Sequence, residues 1–296
     1  MVSMAPPQFP FDQRPAIFLL WLRLSTPLYQ RLSRNIIREV YSYKCVDDLI
    51  PFLQGSHLAV YNLSTGTAVS FPKPAHLPAG AFFCLVTKVL AVVLPCEQPS
   101  RETAILDLAR WKCEDLRRFR ESKRRPAAIA VDEVVYTFGG LNDCFPSISC
   151  DQLCVQEKVW RRMGDLSRCC CPSACHYEGR IYLPDTSPFD RMDVYNIHFA
   201  QFTTVVVETQ LPWMPVSILS EGVMTLLGAG KQLARRSLKK AMRRMEELRT
   251  DCAVGPGSCQ PIRDGKQWYW VQADCLMLHS FAPASLKVVS RLICIA

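Results

Sequence analysis

The apolar residues of the chain fall into runs of about five, and a tight turn separates each run from the next. Five segments repeat one order: an apolar strand, a turn with an acidic residue or glycine, and a β-forming strand. Their turns end at Lys88, Glu133, Gly179, Gly222 and Gly265, at intervals of 43 to 46 residues. In the last three turns a glycine follows an acidic residue, which suits the positive φ of a two-residue hairpin turn. The pattern predicts five hairpins.

A second track of hairpins runs out of phase with the first. It aligns Asn62, Asp107, Cys154, Asn196 and Ser280 at one position, with a further copy expected near residue 238. Two interleaved hairpin tracks of one period give four strands per unit, which is the composition of a propeller blade. We predict that Trp160 and Tyr195 lie on outer strands, and that Val135 and Ile181 lie on more buried ones.

One unit carries further signature residues. The segment Ala127 to Trp160 contains a strand, an acidic turn, a second strand, the diglycine Gly139-Gly140 and a later strand with Trp160. This segment resembles a kelch repeat. The next unit keeps Gly179, Tyr182 and Tyr195 but has Pro184-Asp185 in place of the diglycine, so the resemblance is to degenerate repeats.

The resemblance and the period together predict an all-β fold. It is a kelch-like β-propeller of about five recognisable four-stranded blades plus an incomplete sixth. Because the chain ends at Ala296, before a sixth inner turn, we predict that Tyr61 to Val69 and Arg291 to Ala296 form one reduced sheet.

Residues 1–56 differ in composition from the propeller, which we assign to residues 57–296. Four prolines form an extended leader, after which apolar residues recur at helical spacing: Leu28, Leu32, Ile36, Val40 and Tyr43. Asp47 to Pro51 is predicted as a second short helical turn. Ile37 to Tyr43, with Asp48-Leu49, is similar to the middle of an F-box, although the opening Leu-Pro and the closing tryptophan region of that module are missing.

Composition narrows the class of protein. Hydrophobic residues make up 49% of the chain, with 35 basic and 27 acidic residues, so the chain is globular rather than disordered. The 15 cysteines are odd in number and include the adjacent Cys169, Cys170 and Cys171, which favours reduced thiols and a cytoplasmic location. The apolar stretch Ala16 to Leu22 is too short to span a membrane, and no membrane association is expected.

Metal binding and catalysis are the next alternatives. The densest set of possible zinc ligands is Cys150, Cys154, Cys169, Cys170, Cys171, Cys175 and His176. Their spacing departs from the paired Cys-x-x-Cys steps of zinc sites, so packing of reduced thiols in the core is favoured over a zinc site. The five histidines belong to no recognisable nucleophile signature. We therefore expect no cofactor, no metal and no enzymatic activity.

Two basic segments stand out. Lys231 to Arg249 keeps apolar residues at helical spacing, at Leu238, Ala241, Met242, Met245 and Leu248, and it contains no aromatic residue to stack on a base. It is interpreted as the solvated face of an amphipathic element, and nucleic acid is not expected as a partner. The second basic segment precedes the Glu133 hairpin and contains Arg117, Arg118, Arg120, Lys123, Arg124 and Arg125.

The predicted function is a non-enzymatic scaffold that binds a protein of unknown identity through propeller loops. Rigid strands hold such loops, so binding costs little ordering. The candidate contacts within blades are Asn142, Asp143, Asp185, Asp190 and Arg191; those between blades are Arg124, Arg125 and Arg168. The alternative is an F-box/kelch-type substrate receptor, whose N-terminal residues would bind a ubiquitin-ligase adaptor.

Overall fold

The computed structural model describes sixteen stretches of the chain. They are residues 49–54, 57–73, 77, 80–87, 89–110, 112–142, 145–167, 173–184, 191–206, 216–227, 232–238, 246–249, 261–264, 267–272, 277–283 and 287–292. Every regular element in these stretches is a β-strand. The predicted all-β class is confirmed.

The strands form one three-stranded sheet, five four-stranded blades and a two-stranded hairpin, all antiparallel. The three-stranded sheet contains β1 (Leu49–Gln54), β2 (His57–Asn62) and β3 (Thr67–Pro72). The first blade contains β4 (Ala81–Thr87), β5 (Leu90–Pro95), β6 (Ala104–Asp107) and β7 (Lys112–Asp115). The second contains β8 (Ala127–Val131), β9 (Val134–Phe138), β12 (Ser149–Cys154) and β13 (Val159–Asp165), with the small hairpin β10 (Leu141–Asn142) and β11 (Phe145–Pro146) between β9 and β12.

The remaining three blades follow the same order. The third contains β14 (Cys175–Tyr177), β15 (Arg180–Pro184), β16 (Arg191–Asn196) and β17 (Gln201–Val206). The fourth contains β18 (Val216–Ser220), β19 (Val223–Leu227), β20 (Gln232–Ser237) and β21 (Glu246–Arg249). The fifth contains β22 (Ile262–Asp264), β23 (Gln267–Gln272), β24 (Met277–Ala282) and β25 (Lys287–Leu292).

The inner hairpin turns confirm the predicted period. Glu133, Gly179 and Gly222 each lie in the turn between the first two strands of a blade, with φ of 61°, 71° and 78°. A left-handed backbone at this position explains why two of the three residues are glycine. Lys88 and Gly265, the two other predicted turn residues, lie outside the described residues.

The outer track is also in register. Asn62, Asp107, Cys154 and Asn196 each end the strand that precedes the last strand of their sheet, whereas Ser280 lies two residues before the end of β24. The copy expected near residue 238 is β20, which ends at Ser237. Three of these residues cap the turn that follows. The Asn62 and Asn196 side chains each accept two backbone N–H groups, and Asp107 accepts one.

The order of burial follows the predicted strand positions. Trp160 lies on the last strand of the second blade and is half-buried, and Tyr195 lies on the third strand of its blade and is 3% exposed. Val135 and Ile181, on the second strands, are fully buried. The predicted strand register is therefore confirmed.

Neighbouring sheets share apolar cores around the whole arrangement. Phe83 of the first blade packs with Phe52 of the three-stranded sheet, and successive blades share further clusters as far as the fifth. Leu278 of the fifth blade joins the same cluster as Phe52. The five four-stranded blades thus form a propeller arrangement. The three-stranded sheet lies between the last blade and the first.

Two predictions about the ends of the propeller are wrong. Leu49–Gln54 is a strand rather than a helical turn, because Ile50 and Phe52 are fully buried and β1 pairs with β2 along its entire length. The reduced sheet therefore takes its extra strand from β1. Arg291, which was predicted to join that sheet, pairs instead with Leu278 in the fifth blade. The leader and the helical pattern from Leu28 to Tyr43 lie outside the described residues.

The helical spacing noted within Lys231 to Arg249 does not correspond to a helix in the described part of this segment. Two strands of the fourth blade, β20 and β21, occupy much of this segment, and Leu248 pairs with Leu233 across them. Residues 239–245 lie outside the described residues. The sheet of the fourth blade overrides the local helical spacing, in keeping with the repeat period.

Candidate interaction face

Two kinds of loop open at the same end of the blades. Because successive strands are antiparallel, the loop between the second and third strands lies at the same end as the connection to the next blade. The hairpin turns lie at the opposite end. We use the name loop face for the part formed by residues 96–103, 116–126, 139–142 and 145–148, which belong to the first two blades and their connection.

Backbone hydrogen bonds join these loops into one surface. Ser100 and Lys123 exchange N–H···O bonds of 3.0 and 2.9 Å, and Arg124 and Leu141 exchange bonds of 2.7 and 2.8 Å. Leu141 in turn pairs with Pro146 across the small hairpin. The connecting loop between the blades is thus held on both sides by an isolated β-bridge.

The diglycine makes this close approach possible. Gly139 and Gly140 have φ of 57° and 104°, a region that side chains rarely adopt. A Cβ atom on Gly140 would lie 2.9 Å from the carbonyl oxygen of Arg124 and 3.1 Å from the nitrogen of Pro126. The diglycine therefore positions the arginine-bearing loop.

A buried ion pair also holds the same loop against the second blade. The Lys123 side chain is fully buried, and its Nζ lies 2.6 Å from Asp151 Oδ2 and donates to the Ser149 carbonyl at 2.9 Å. The ammonium also lies 5.1 Å from the centre of the Phe119 ring. With a carboxylate, a carbonyl and a ring around it, the buried charge is compensated. Lys123 was expected to belong to the basic loop with the arginines around it, and its role as a buried anchor was not predicted.

The next connection along the chain uses the same repeat position. Asp193 lies three residues before the end of β16, as Asp151 does in β12. Its buried carboxylate accepts hydrogen bonds from the Ser167 backbone N–H at 3.2 Å, the Ser167 hydroxyl at 2.7 Å and the Thr204 hydroxyl at 2.7 Å. Here a neutral residue of the connecting loop takes the place of Lys123.

Trp160 adds a contact between blades. Its indole N–H donates to the Thr103 hydroxyl of the first blade at 2.9 Å. Its ring also packs against Phe119, with centroids 4.5 Å apart. The diglycine and Trp160 thus both stabilise the join beneath the loop face.

Exposed arginines and apolar side chains lie above these anchors. The exposed arginines are Arg101, Arg117, Arg118, Arg120 and Arg125. Phe145 at the tip of the small hairpin is 77% exposed, and Ile148 is 39% exposed. Arg118 pairs with Glu102 at 3.3 Å. The face therefore combines guanidinium groups with uncovered apolar surface.

The candidate contact residues have different outcomes. Asn142 is half-buried on β10, and Arg124 and Arg125 lie in the connecting loop of the loop face. The Arg124 Nε is buried and has no hydrogen-bond partner among the described residues. Arg191 begins β16 of the third blade. Asp143, Asp185, Asp190 and Arg168 lie outside the described residues. Phe145 and Ile148 were not predicted as contact residues. The only sign of them in the sequence is that each is an apolar residue in a loop.

The described members of the alternative zinc set lie on two blades, Cys150 and Cys154 on β12 and Cys175 and His176 on β14. Burial raises the pKa of the Cys150 and Cys175 thiols to about 12, which keeps them protonated. His176 Nε2 accepts the Gly179 N–H, and burial lowers the pKa of this imidazole. Cys169, Cys170 and Cys171 lie outside the described residues. In the described part of the chain, no three His, Cys, Asp or Glu residues are grouped to hold a metal ion.

Comparison with known proteins gives no assignment. No protein-family model matches the chain, and a search of curated proteins finds no significant match. Over the described stretches, no helix is long and apolar enough to cross a membrane.

Proposed function

We propose that the protein is a non-enzymatic, kelch-repeat-type interaction scaffold of the cytoplasm that binds a partner protein through the loop face. One observation carries the proposal. Exposed arginines and the 77% exposed Phe145 share a surface that the buried Lys123–Asp151 pair holds in place.

The chemistry of the face suits a protein partner. Aromatic residues and arginine are enriched in the parts of interfaces that contribute most to binding. An exposed phenylalanine beside a partly exposed isoleucine gains free energy when a partner covers it. Because the loops are already ordered by backbone pairing, little conformational entropy is lost on binding.

The opposite end of the propeller offers matched controls. Phe199 is 72% exposed in the turn between β16 and β17, and Arg110 is exposed in the turn between β6 and β7. Both lie at the end of the blades that carries the hairpin turns. Equivalent substitutions there change the same surface chemistry without touching the loop face.

The test is affinity purification of the full chain from its own cell type. It compares the unaltered protein with the pair Phe145→Ser and Arg120→Glu and with the control pair Phe199→Ser and Arg110→Glu. We expect one set of proteins to be retained by the unaltered chain and by the control pair but lost with the loop-face pair. Equal retention by all three, or no retained protein, would overturn the proposal. Retention of a ubiquitin-ligase adaptor by all three would favour the substrate-receptor alternative.

A further inference from the structure

We propose that the partner is an extended acidic segment with an apolar side chain, bound across the first two blades. This inference rests on the proposed function and adds the chemistry of the partner. The arginines would bind Asp or Glu side chains of the segment, and Phe145 with Ile148 would cover its apolar residue.

The charge of the loop face favours carboxylates. Arg117 and Arg120 are exposed and form no ion pair with another described residue. A guanidinium presents paired N–H donors that match the two oxygens of a carboxylate. The neighbouring Arg118 already binds a carboxylate within the chain, through one contact of 3.3 Å between its Nη2 and Glu102 Oε1. The same loop can therefore accept carboxylates from outside.

The basic loop and the apolar hairpin are contiguous. Ser147, next to Pro146 and Ile148, lies with its hydroxyl 3.5 Å from the Glu121 carboxylate, and Glu121 follows Arg120. Charged and apolar contacts can thus be made by one ligand without a gap between them.

The pairing also gives a spacing for the ligand. Arg124 pairs with Leu141, and the next strand of the hairpin carries Phe145. Two strand spacings are roughly 10 Å, and an extended chain covers that distance in about three residues. We therefore expect the acidic residue that binds Arg125, the exposed neighbour of Arg124, to lie about three positions from the apolar residue of the ligand.

The position of Arg125 is set before any partner binds. Its φ of 49° is left-handed, and its N–H donates to the Pro95 carbonyl at 3.0 Å. Among the described non-glycine residues with positive φ, it alone lies outside the turns within blades. A strained residue of this kind persists only where its surroundings fix it. The backbone of Arg125 is thus held in a defined place.

A protein ligand fits this face better than a nucleic acid does. Single-stranded nucleic acids are bound by several aromatic rings that stack successive bases, whereas Phe145 is the exposed ring that this face presents among the described residues.

The experiment selects peptides from a random twelve-residue library on the full-length protein. We expect enriched peptides to contain Asp or Glu about three positions from a large apolar residue. Arg120→Glu, and separately Phe145→Ser, should each weaken binding of the enriched peptides at least tenfold by fluorescence anisotropy. Arg110→Glu and Phe199→Ser should leave binding within twofold, and thermal unfolding of all four variants checks that the fold is kept.

Several results would overturn this inference. They are enrichment of basic or uncharged peptides, no enrichment, equal effects of the loop-face and control variants, or tighter binding of oligouridine than of the peptides. The affinity purification separates this failure from failure of the proposed function. Proteins retained in a Phe145-dependent manner would keep the scaffold proposal even if no acidic peptide were selected.

Discussion

The two loops that connect the second blade to its neighbours are each held by a buried aspartate, but the groups that bind this aspartate differ. Before the second blade, the connecting loop inserts Lys123, which is fully buried against Asp151. Before the third blade, the loop presents Ser167, which donates its hydroxyl and its backbone N–H to Asp193. In both, an aspartate three residues from the end of the third strand holds the loop that precedes its blade.

The difference shows how one repeat position is adapted to two loops. In a buried ion pair each charge depends strongly on the other, because a single unpaired charge is costly to bury. A carboxylate that accepts hydrogen bonds from hydroxyl and amide donors holds its loop through several contacts, each weaker than an ion pair. The charged form holds the loop that carries the exposed arginines, so loss of Lys123 should disturb the interaction face more than loss of Asp193.

The largest expected effect comes from removing one charge of the buried pair. Lys123→Met leaves the Asp151 carboxylate buried without its cation, and we expect the free energy of unfolding to fall by about 3–5 kcal/mol in urea titrations. The double variant Lys123→Met with Asp151→Leu removes both charges and should recover most of that loss. A single variant that costs less than about 1 kcal/mol would show that the pair contributes little.

The next effect concerns the diglycine on the same side of the second blade. Gly140→Ala would place a Cβ atom 2.9 Å from the Arg124 carbonyl at a φ of 104°, so we expect a loss of about 2–3 kcal/mol. Gly66→Ala, which also has positive φ but has open space around it apart from the Tyr61 hydroxyl at 3.9 Å, is the matched control and should cost less. Equal costs in urea titrations would mean that crowding by the connecting loop adds nothing.

A smaller effect is expected at the second connection. Asp193→Asn removes the charge and leaves one acceptor oxygen for the Ser167 and Thr204 donors, so we expect a loss of about 1–2 kcal/mol. Calorimetry of Asp193→Asn and Lys123→Met side by side measures the comparison directly. If Asp193→Asn lowered stability as much as Lys123→Met, the two connections would be equivalent.

The smallest effect is a dependence on pH near the second connection. The pKa of His176 is lowered from 6.5 in the folded protein, so folding favours the neutral ring. The stability that depends on the neutral ring is complete above pH 6.5 and is lost as the pH falls through the lowered value. Between pH 7.5 and 5.5, His176→Gln should show a shallower fall in Tm than the unaltered protein. A parallel fall in both proteins would assign the pH dependence to other groups.

Much of the blade geometry could be predicted because it depends on local turn chemistry. Gly179 and Gly222 mark backbone positions that need positive φ, and Asn62 and Asn196 cap turns with their own side chains. Such requirements are visible in a single sequence at a fixed period. The identity of the strands and their burial order followed from these positions.

The interaction face was harder to predict because it depends on contacts between distant segments. Nothing near Lys123 in the sequence distinguishes it from the exposed arginines around it, since its partner Asp151 belongs to another strand. Likewise, Leu49–Gln54 becomes a strand only because β2 and the neighbouring cores bury it. Local patterns carry no information about such long-range pairing.

The core shared by Phe52 and Leu278 also has a consequence for how the chain folds during synthesis. These residues are separated by most of the chain, so the contact cannot form until the fifth blade has left the ribosome. Until then, the three-stranded sheet lacks one of its two neighbours and exposes part of its apolar surface. Closing so long a loop carries an entropic cost that local hairpins do not have, so ring closure should be the late and slow event of folding.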